Sequence, residues 1–143
     1  MNDWVIYTDG SYRPSTGNGG LGIVWLKNGK KVFEYSKGYK NVTNNIMELK
    51  AIGIALKSIK KPIDSLTIIS DSEYALGCIF NSNWNPKKNK ELISSIKKEL
   101  ERVKKLTKVD YKHVYGHQKE GSEDMIWNNY ADKLAANESS MIL

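Results

Sequence analysis

A single cysteine, Cys78, is all the thiol chemistry in this 143-residue chain, so no internal disulfide can form. Its apolar setting, YALGCIF, suits a buried and unreactive thiol. No run approaches the roughly 18 apolar residues of a membrane span, and the N-terminus lacks the basic-then-apolar pattern of a signal peptide. A cytoplasmic protein with no membrane partner is therefore expected. There are only three prolines, and no repeat, low-complexity tract or linker is visible. The length and an apolar fraction of 40% suit one domain over residues 1–143 with a core of its own.

Acidic residues are in the minority. Lys and Arg number 22 against 16 Asp and Glu, a net charge of +6. A solvated lysine face accounts for that balance as well as a nucleic-acid partner does. The distribution says more. Lysines crowd NPKKNKEL (87, 88, 90) and SIKKELERVKKLTK (97, 98, 104, 105, 108). A basic surface around an acidic pocket suits a polyanion held beside bound cations.

Hydrophobic periodicity predicts strands at 3–9, 19–26 and 32–39, with NGKK as a hairpin turn between the second and third. A helix is expected from Asn45 to about Ile59, and a central strand at 66–70, apolar on both faces. Helices follow at about 72–81 and 89–106, the latter with Leu92, Ile96, Leu100 and Val103 inward. A last strand, KVDYKHVY, and a helix over roughly 125–138 complete the chain. Three strands joined by tight turns, then strands reached through helices, indicate a five-stranded mixed sheet of an α/β protein.

Two of these strands deliver a carboxylate to their ends: VIYTDGS brings Asp9 into what reads as a glycine turn, and LTIISDS brings Asp71. If the two strands are adjacent and parallel, both groups emerge at the edge where open α/β sheets place ligands. Glu48 heads the apolar stripe of its own helix, with Ala51, Ile52, Ala55 and Ile59 below it. Asp132, in NNYADKLAAN, shares a face with Ala135 and Ala136, which are small enough to let a helix lie close on a sheet. Each carboxylate taken alone reads as a cap or turn former. Together they would repel, unless hard divalent ions relieve the charge. Two such ions about 4 Å apart clamp an in-line displacement at phosphorus. The pattern points to metal-dependent phosphodiester chemistry.

YTDGS, TNNIMELKA, SDSEYAL, GH at 116–117 and ADKLA at 131–135 occur in the order and approximate spacing of type 1 ribonuclease H. The resemblance covers about residues 3–138. It implies a ribonuclease H-like fold and hydrolysis of the RNA strand of an RNA–DNA hybrid, leaving 5′-phosphate and 3′-hydroxyl ends. By motif position Asp9, Glu48, Asp71 and Asp132 match the metal-binding carboxylates, for two Mg²⁺ ions or Mn²⁺ in their place. One ion would activate the attacking water and the other stabilise the leaving 3′-oxygen. His117 matches the family's histidine for proton transfer or product release. Asn44 and Asn45 match the pair that reads 2′-hydroxyls, a role an amide suits because it both donates and accepts. Helix capping is their other reading. Thr43 and Lys40 match a contact to a DNA phosphate, and Gly10 and Ser11 a place beside the scissile phosphate.

The chain departs from the pattern in places. The extra helix and basic loop of several bacterial members are absent from NSNWNPKKNKEL, which makes it more similar to the retroviral ribonuclease H domain. Lys87, Lys88 and Lys90 with Trp84 are candidates to supply the missing affinity; a core Trp beside a solvated loop is the other reading. Glu73 stands where many relatives have Gln and cannot donate a hydrogen bond. The stretch from His117 to Asp132 is long, and it places Glu120, Glu123 and Asp124 near the nucleic-acid approach. Asn128, one turn before Asp132, is expected to face the site and orient a metal-bound water. A free-standing monomeric enzyme is the simplest expectation, and a piece of a polymerase-like polyprotein the alternative. A resolvase- or transposase-like DNA nuclease and a non-catalytic hybrid-binding module are the rival functions. The asparagine pair argues against the first and the four carboxylates against the second.

Overall fold

A computed structural model of the chain describes residues 2–115 and 121–141. Strands β1 (Asp3–Arg13), β2 (Asn18–Lys27) and β3 (Lys30–Tyr39) form an antiparallel meander. Asn28 and Gly29 both take positive φ, 51° and 83°, as an Asn-Gly hairpin turn requires. Helix α1 (Asn44–Lys57) leads to β4 (Ser65–Ser70), then to α2 (Glu73–Phe80) and α3 (Lys90–Lys104). Strand β5 (Lys108–His113) and helix α4 (Glu123–Met141) follow. The sheet order is β3-β2-β1-β4-β5, with β4 parallel to both β1 and β5. This is the mixed sheet that the pattern of strands and helices predicts.

Helices α1, α2 and α3 cover one face, closing a core that includes Ile6, Leu21, Ile52, Leu66, Ile68 and Leu100. Helix α4 covers the other, packing Ala131 with Tyr7, Val24, Leu26 and Ile69. Each fully buried Leu or Ile contributes about 1.5–3 kcal/mol relative to exposure. Helix α3 is rotated from its expected setting. Ile93, Ile96, Leu100 and Val103 are its buried stripe, while Leu92 and Lys97 lie half-buried at the margins. Among the described residues no helix is long and apolar enough to cross a membrane.

Strand β1 does not stop at Asp9, and Gly10 is not in a turn. The parallel ladder with β4 ends at Thr8–Ser70, whereas the antiparallel ladder with β2 runs on to Arg13–Asn18. Asp9 is thus the first residue past the β4 ladder, and Asp71 the first past β4 itself. Both carboxylates leave the sheet at one edge because the two strands run parallel in register.

Candidate metal centre

Oxygens of Asp9, Glu48 and Asp71 all lie within 4.8 Å of one another. The third member comes from α1, and Gly10 brings it there. A Cβ on Gly10 would stand 2.7 Å from the Glu48 nitrogen and 2.8 Å from Met47 Cβ, so only glycine lets the helix rest on β1 at this depth. The start of α1 is fixed by Thr43, whose Oγ1 accepts from the Ile46 amide at 3.2 Å. Asp71 is held by its turn. Ser72 caps α2 by accepting from the Ala75 amide, its own amide donates to Ser70 Oγ, and His113 Nε2 lies 3.2 Å from the Asp71 carbonyl oxygen.

Asp9 is 2% exposed and Glu48 5%. Asp9 Oδ1 accepts from the Gly10 amide at 2.9 Å, but Asp9 Oδ2 and Glu48 Oε1 have no hydrogen-bond partner among the described residues. Burial, then the charges of Glu48 and Asp71, raise the Asp9 pKa far above the carboxylate range. Burial, then Asp71, raise that of Glu48 against the opposing effects of the Asp9 side chain and the Gly10 backbone. Buried acceptor oxygens without donors, in mutually repelling carboxylates, are the donor set a hard divalent cation takes. The residues fit such an ion.

Asp132 lies outside this 4.8 Å group, yet close enough to Asp9 to help hold its pKa up. Helix α4 reaches the sheet through two glycines of β2, a signal the sequence reading passed over. A Cβ on Gly20 or Gly22 would overlap the backbone of Ala135 or Ala131 respectively. Asn128 is 1% exposed, and its Oδ1 has no partner among the described residues. His117 and Glu120 lie outside the described residues.

The expected substrate contacts are spread over several elements. Asn44 and Asn45 are exposed on the first turn of α1. Neither is the cap, since Thr43 is, so their amides are not spent on the helix. Thr43 accepts in that cap and keeps its hydroxyl proton for a ligand. It lines a cavity of about 350 Å³ with Asn45, Tyr74, Lys87, Lys88 and Asn89. Asn89 takes a left-handed φ of 62° and donates to Tyr74 Oη at 3.2 Å, which fixes one wall. Lys40 is exposed. Ser11 is half-buried, with its Oγ 3.3 Å from Ser139 Oγ of α4.

Glu73 is exposed as the first residue of α2, where its charge suits the helix dipole. It lines a second cavity, of about 240 Å³, with His113 and Trp84. Trp84 is 37% exposed and lies flat on Gly77 of α2, with a Cβ there only 2.5 Å from the indole ring. The tryptophan therefore belongs partly to each expected role, packed on one face and open on the other. Residues 81–89 pass from α2 to α3 without a further helix.

The structure turns Asp124 inward rather than toward the approach. Tyr7 Oη, of a residue 2% exposed, donates to Asp124 Oδ1 at 2.6 Å, and Lys112 Nζ donates to Oδ2 at 2.5 Å. The first turn of α4 is thereby tied to β1 and β5. Burial works to raise the Asp124 pKa, but the hydrogen bonds from Lys112 and Tyr7 and the lysine charge outweigh it, and the net shift is downward. Tyr7→Phe should cost about 1–3 kcal/mol by removing a charge-assisted hydrogen bond from the half-buried Asp124 carboxylate. The Asp124 contribution is complete above its unfolded pKa of about 4 and is lost as pH falls through the lower folded value. Melting temperature against pH should show that acid limb in the wild type and a shallower one in Asp124→Asn; identical limbs would contradict the tether.

A mixed five-stranded sheet with a largely buried acidic cluster at one edge defines an α/β scaffold whose carboxylates could hold a cation. The family profile for RNase H matches residues 1–140. The chain is 40% identical over 146 residues to a Ribonuclease H of Clostridium botulinum, covering 94% of each chain. It is 38% identical to one of Actinobacillus pleuropneumoniae, covering 91% of this chain and 86% of the other. Among solved structures, the prototype foamy virus protease-reverse transcriptase superposes with a TM-score of 0.79 at 26% identity, over 100% of this chain and 21% of that one. The chain belongs to the ribonuclease H family.

Proposed function

We propose that the protein is an endonuclease that hydrolyses the RNA strand of RNA–DNA hybrids, leaving 5′-phosphate and 3′-hydroxyl ends. The observation that carries this reading is the pair of buried oxygens, on Asp9 and Glu48, that have no partner among the described residues, beside Asp71 and on the helix that carries an exposed asparagine pair. Asp9, Glu48, Asp71 and Asp132 would hold two Mg²⁺ ions, with Mn²⁺ able to replace them. When bound, such ions supply the positive charge that activates a water and stabilises the departing 3′-oxygen. Asn44 and Asn45 meet the RNA strand through its 2′-hydroxyls, and Gly10 and Ser11 border the scissile phosphate. Asn128 orients a water near Asp132, and His117 assists proton transfer or product release. Thr43, Lys40, Lys87 and Lys88 hold a phosphate of the DNA strand, while Glu73 replaces a donor on the minor-groove side. The protein acts as a monomeric, single-domain, cytoplasmic enzyme.

Supporting this reading, the relatives at about 40% identity that share its length are named Ribonuclease H. Its test is cleavage of an end-labelled hybrid with chelator, then with Mg²⁺ or Mn²⁺ restored. Activity should vanish and return, and new 5′ ends should resist kinase labelling until treated with phosphatase. Metal-independent cutting or 5′-hydroxyl ends would overturn it. Lys87→Gln with Lys88→Gln should raise KM and flatten its dependence on salt by about one power of salt per lost phosphate contact, leaving kcat near its original value. An unchanged salt slope would remove the loop from the docking face.

A further inference from the structure

A groove of about 780 Å³ runs along α3, away from the Asp9–Glu48–Asp71 cluster. Trp84, Pro86, Lys90, Ile93, Lys98 and Lys105 are among its lining residues. From Lys90 to Lys105 the stripe spans about 22 Å at the helical rise. Its chemistry is one-sided. Lys90, Lys98 and Lys105 are exposed, and none enters an ion pair among the described residues. The one carboxylate in the lining, Glu101, is 3.5 Å from Lys104. Arg102 is committed elsewhere, to Glu99 and to the carbonyl oxygens of Leu56, in the last turn of α1, and Ile59 just beyond it. The free charge on this face is lysine.

The groove also joins the site. Trp84 is a wall of both this groove and the smaller cavity that holds Glu73 and His113, and His113 touches the Asp71 carbonyl. On its other flank the same loop supplies Lys87, Lys88 and Asn89 to the cavity beside Thr43.

We infer that the α3 groove is a track for a single-stranded extension of the DNA strand as it leaves the catalytic cleft. This rests on the reading of the Thr43–Lys88 cavity as the DNA-strand phosphate site. A single strand fits better than a duplex because Trp84, backed by Gly77, presents one fixed open face. Only an unstacked base can lie on it, since base faces in a duplex are already covered. Aromatic platforms with flanking lysines hold single strands in this way, each stacked base being worth about 1–3 kcal/mol. DNA rather than RNA follows from the shared loop: the strand bound at Lys87 and Lys88 is the one that reaches Trp84 and Lys90 next.

The test is binding in chelator, where no cleavage occurs, followed by fluorescence anisotropy. The probes are a blunt hybrid of about twelve base pairs and the same hybrid with about ten thymidines added to the DNA strand, or about ten uridines added to the RNA strand. The DNA extension should tighten binding about tenfold and steepen the salt slope by about 0.7 per phosphate engaged. Lys98→Gln with Lys105→Gln should erase that gain and leave the blunt hybrid's Kd and its Mg²⁺-dependent cleavage unchanged. No gain from the DNA extension would overturn the track. So would a gain that survives the double variant, equal loss on blunt and tailed probes, or a larger gain from the RNA extension. Failure of the ribonuclease reading would show separately, as no cutting of the blunt hybrid with Mg²⁺.

Discussion

Asp9→Asn should reduce hybrid cleavage by more than about 10²–10³-fold, the scale of losing one transition-state charge stabiliser, while making the cation-free protein more stable. The two effects have one cause. Asp9 is buried against Glu48 and Asp71, and burial and those neighbours disfavour its charged form when no counter-charge is present. Because the folded-state pKa is raised, the native protein holds protons that the unfolded chain gives up. Stability without cation therefore falls as pH rises from about 4 toward the folded value. An amide removes one charge from the cluster and flattens that fall. Each kcal/mol relieved should raise the melting temperature by about 4 °C for a chain of this length. Mg²⁺ should then stabilise the wild type in proportion to ln(1 + [L]/Kd) and the variant much less. Near-normal turnover, or an equal Mg²⁺ shift in both proteins, would contradict the assignment of Asp9.

Gly22→Ala should damage both stability and activity without touching a carboxylate. A methyl group there would overlap the Ala131 carbonyl oxygen and stand 2.7 Å from Leu134 Cβ and 2.9 Å from the Ala135 nitrogen. Two of these atoms are helix backbone and cannot rotate away, so α4 must lift from the sheet. Overpacking of this kind costs about 1–3 kcal/mol or more. The displaced helix carries Asp132 and Asn128, so kcat should fall about 10²-fold, as for a misplacement of about 1 Å. Thermal melts and single-turnover rates on one preparation would separate the two losses. Gly29→Ala is the control: its Cβ meets nothing within 4 Å, and its cost is confined to a positive φ of 83°. A Gly22 variant no more affected than the Gly29 variant would contradict the close approach.

The sheet was legible because its signals are local. Alternating and continuous apolar runs, the Asn28-Gly29 turn and the Glu48-headed stripe each lie within a few residues, and parallel pairing follows from the intervening helices. Grouping Asp9 with Asp71 followed from that topology. What escaped was long-range packing. Gly10 read as a turn former because a glycine after an aspartate usually is one; its purpose, admitting α1, depends on a helix more than thirty residues away. Gly20 and Gly22 read only as strand, although their alternation on one face marks where a helix can lie close. Asp124 read as a surface acid because its partners, Tyr7 and Lys112, are on two other elements. The inward face of α3 was misjudged by one position, since Leu92 and Ile93 suit the stripe equally and only the docking of the helix decides between them.

The central claim is that this carboxylate cleft cuts RNA only when it is paired with DNA. One end-labelled RNA should be presented hybridised to DNA, hybridised to RNA, and alone, each with Mg²⁺, with Mn²⁺ and with chelator. Metal-dependent cutting confined to the hybrid is the expected result. Equal cutting of all three forms, or cutting of the DNA strand in its place, would contradict it.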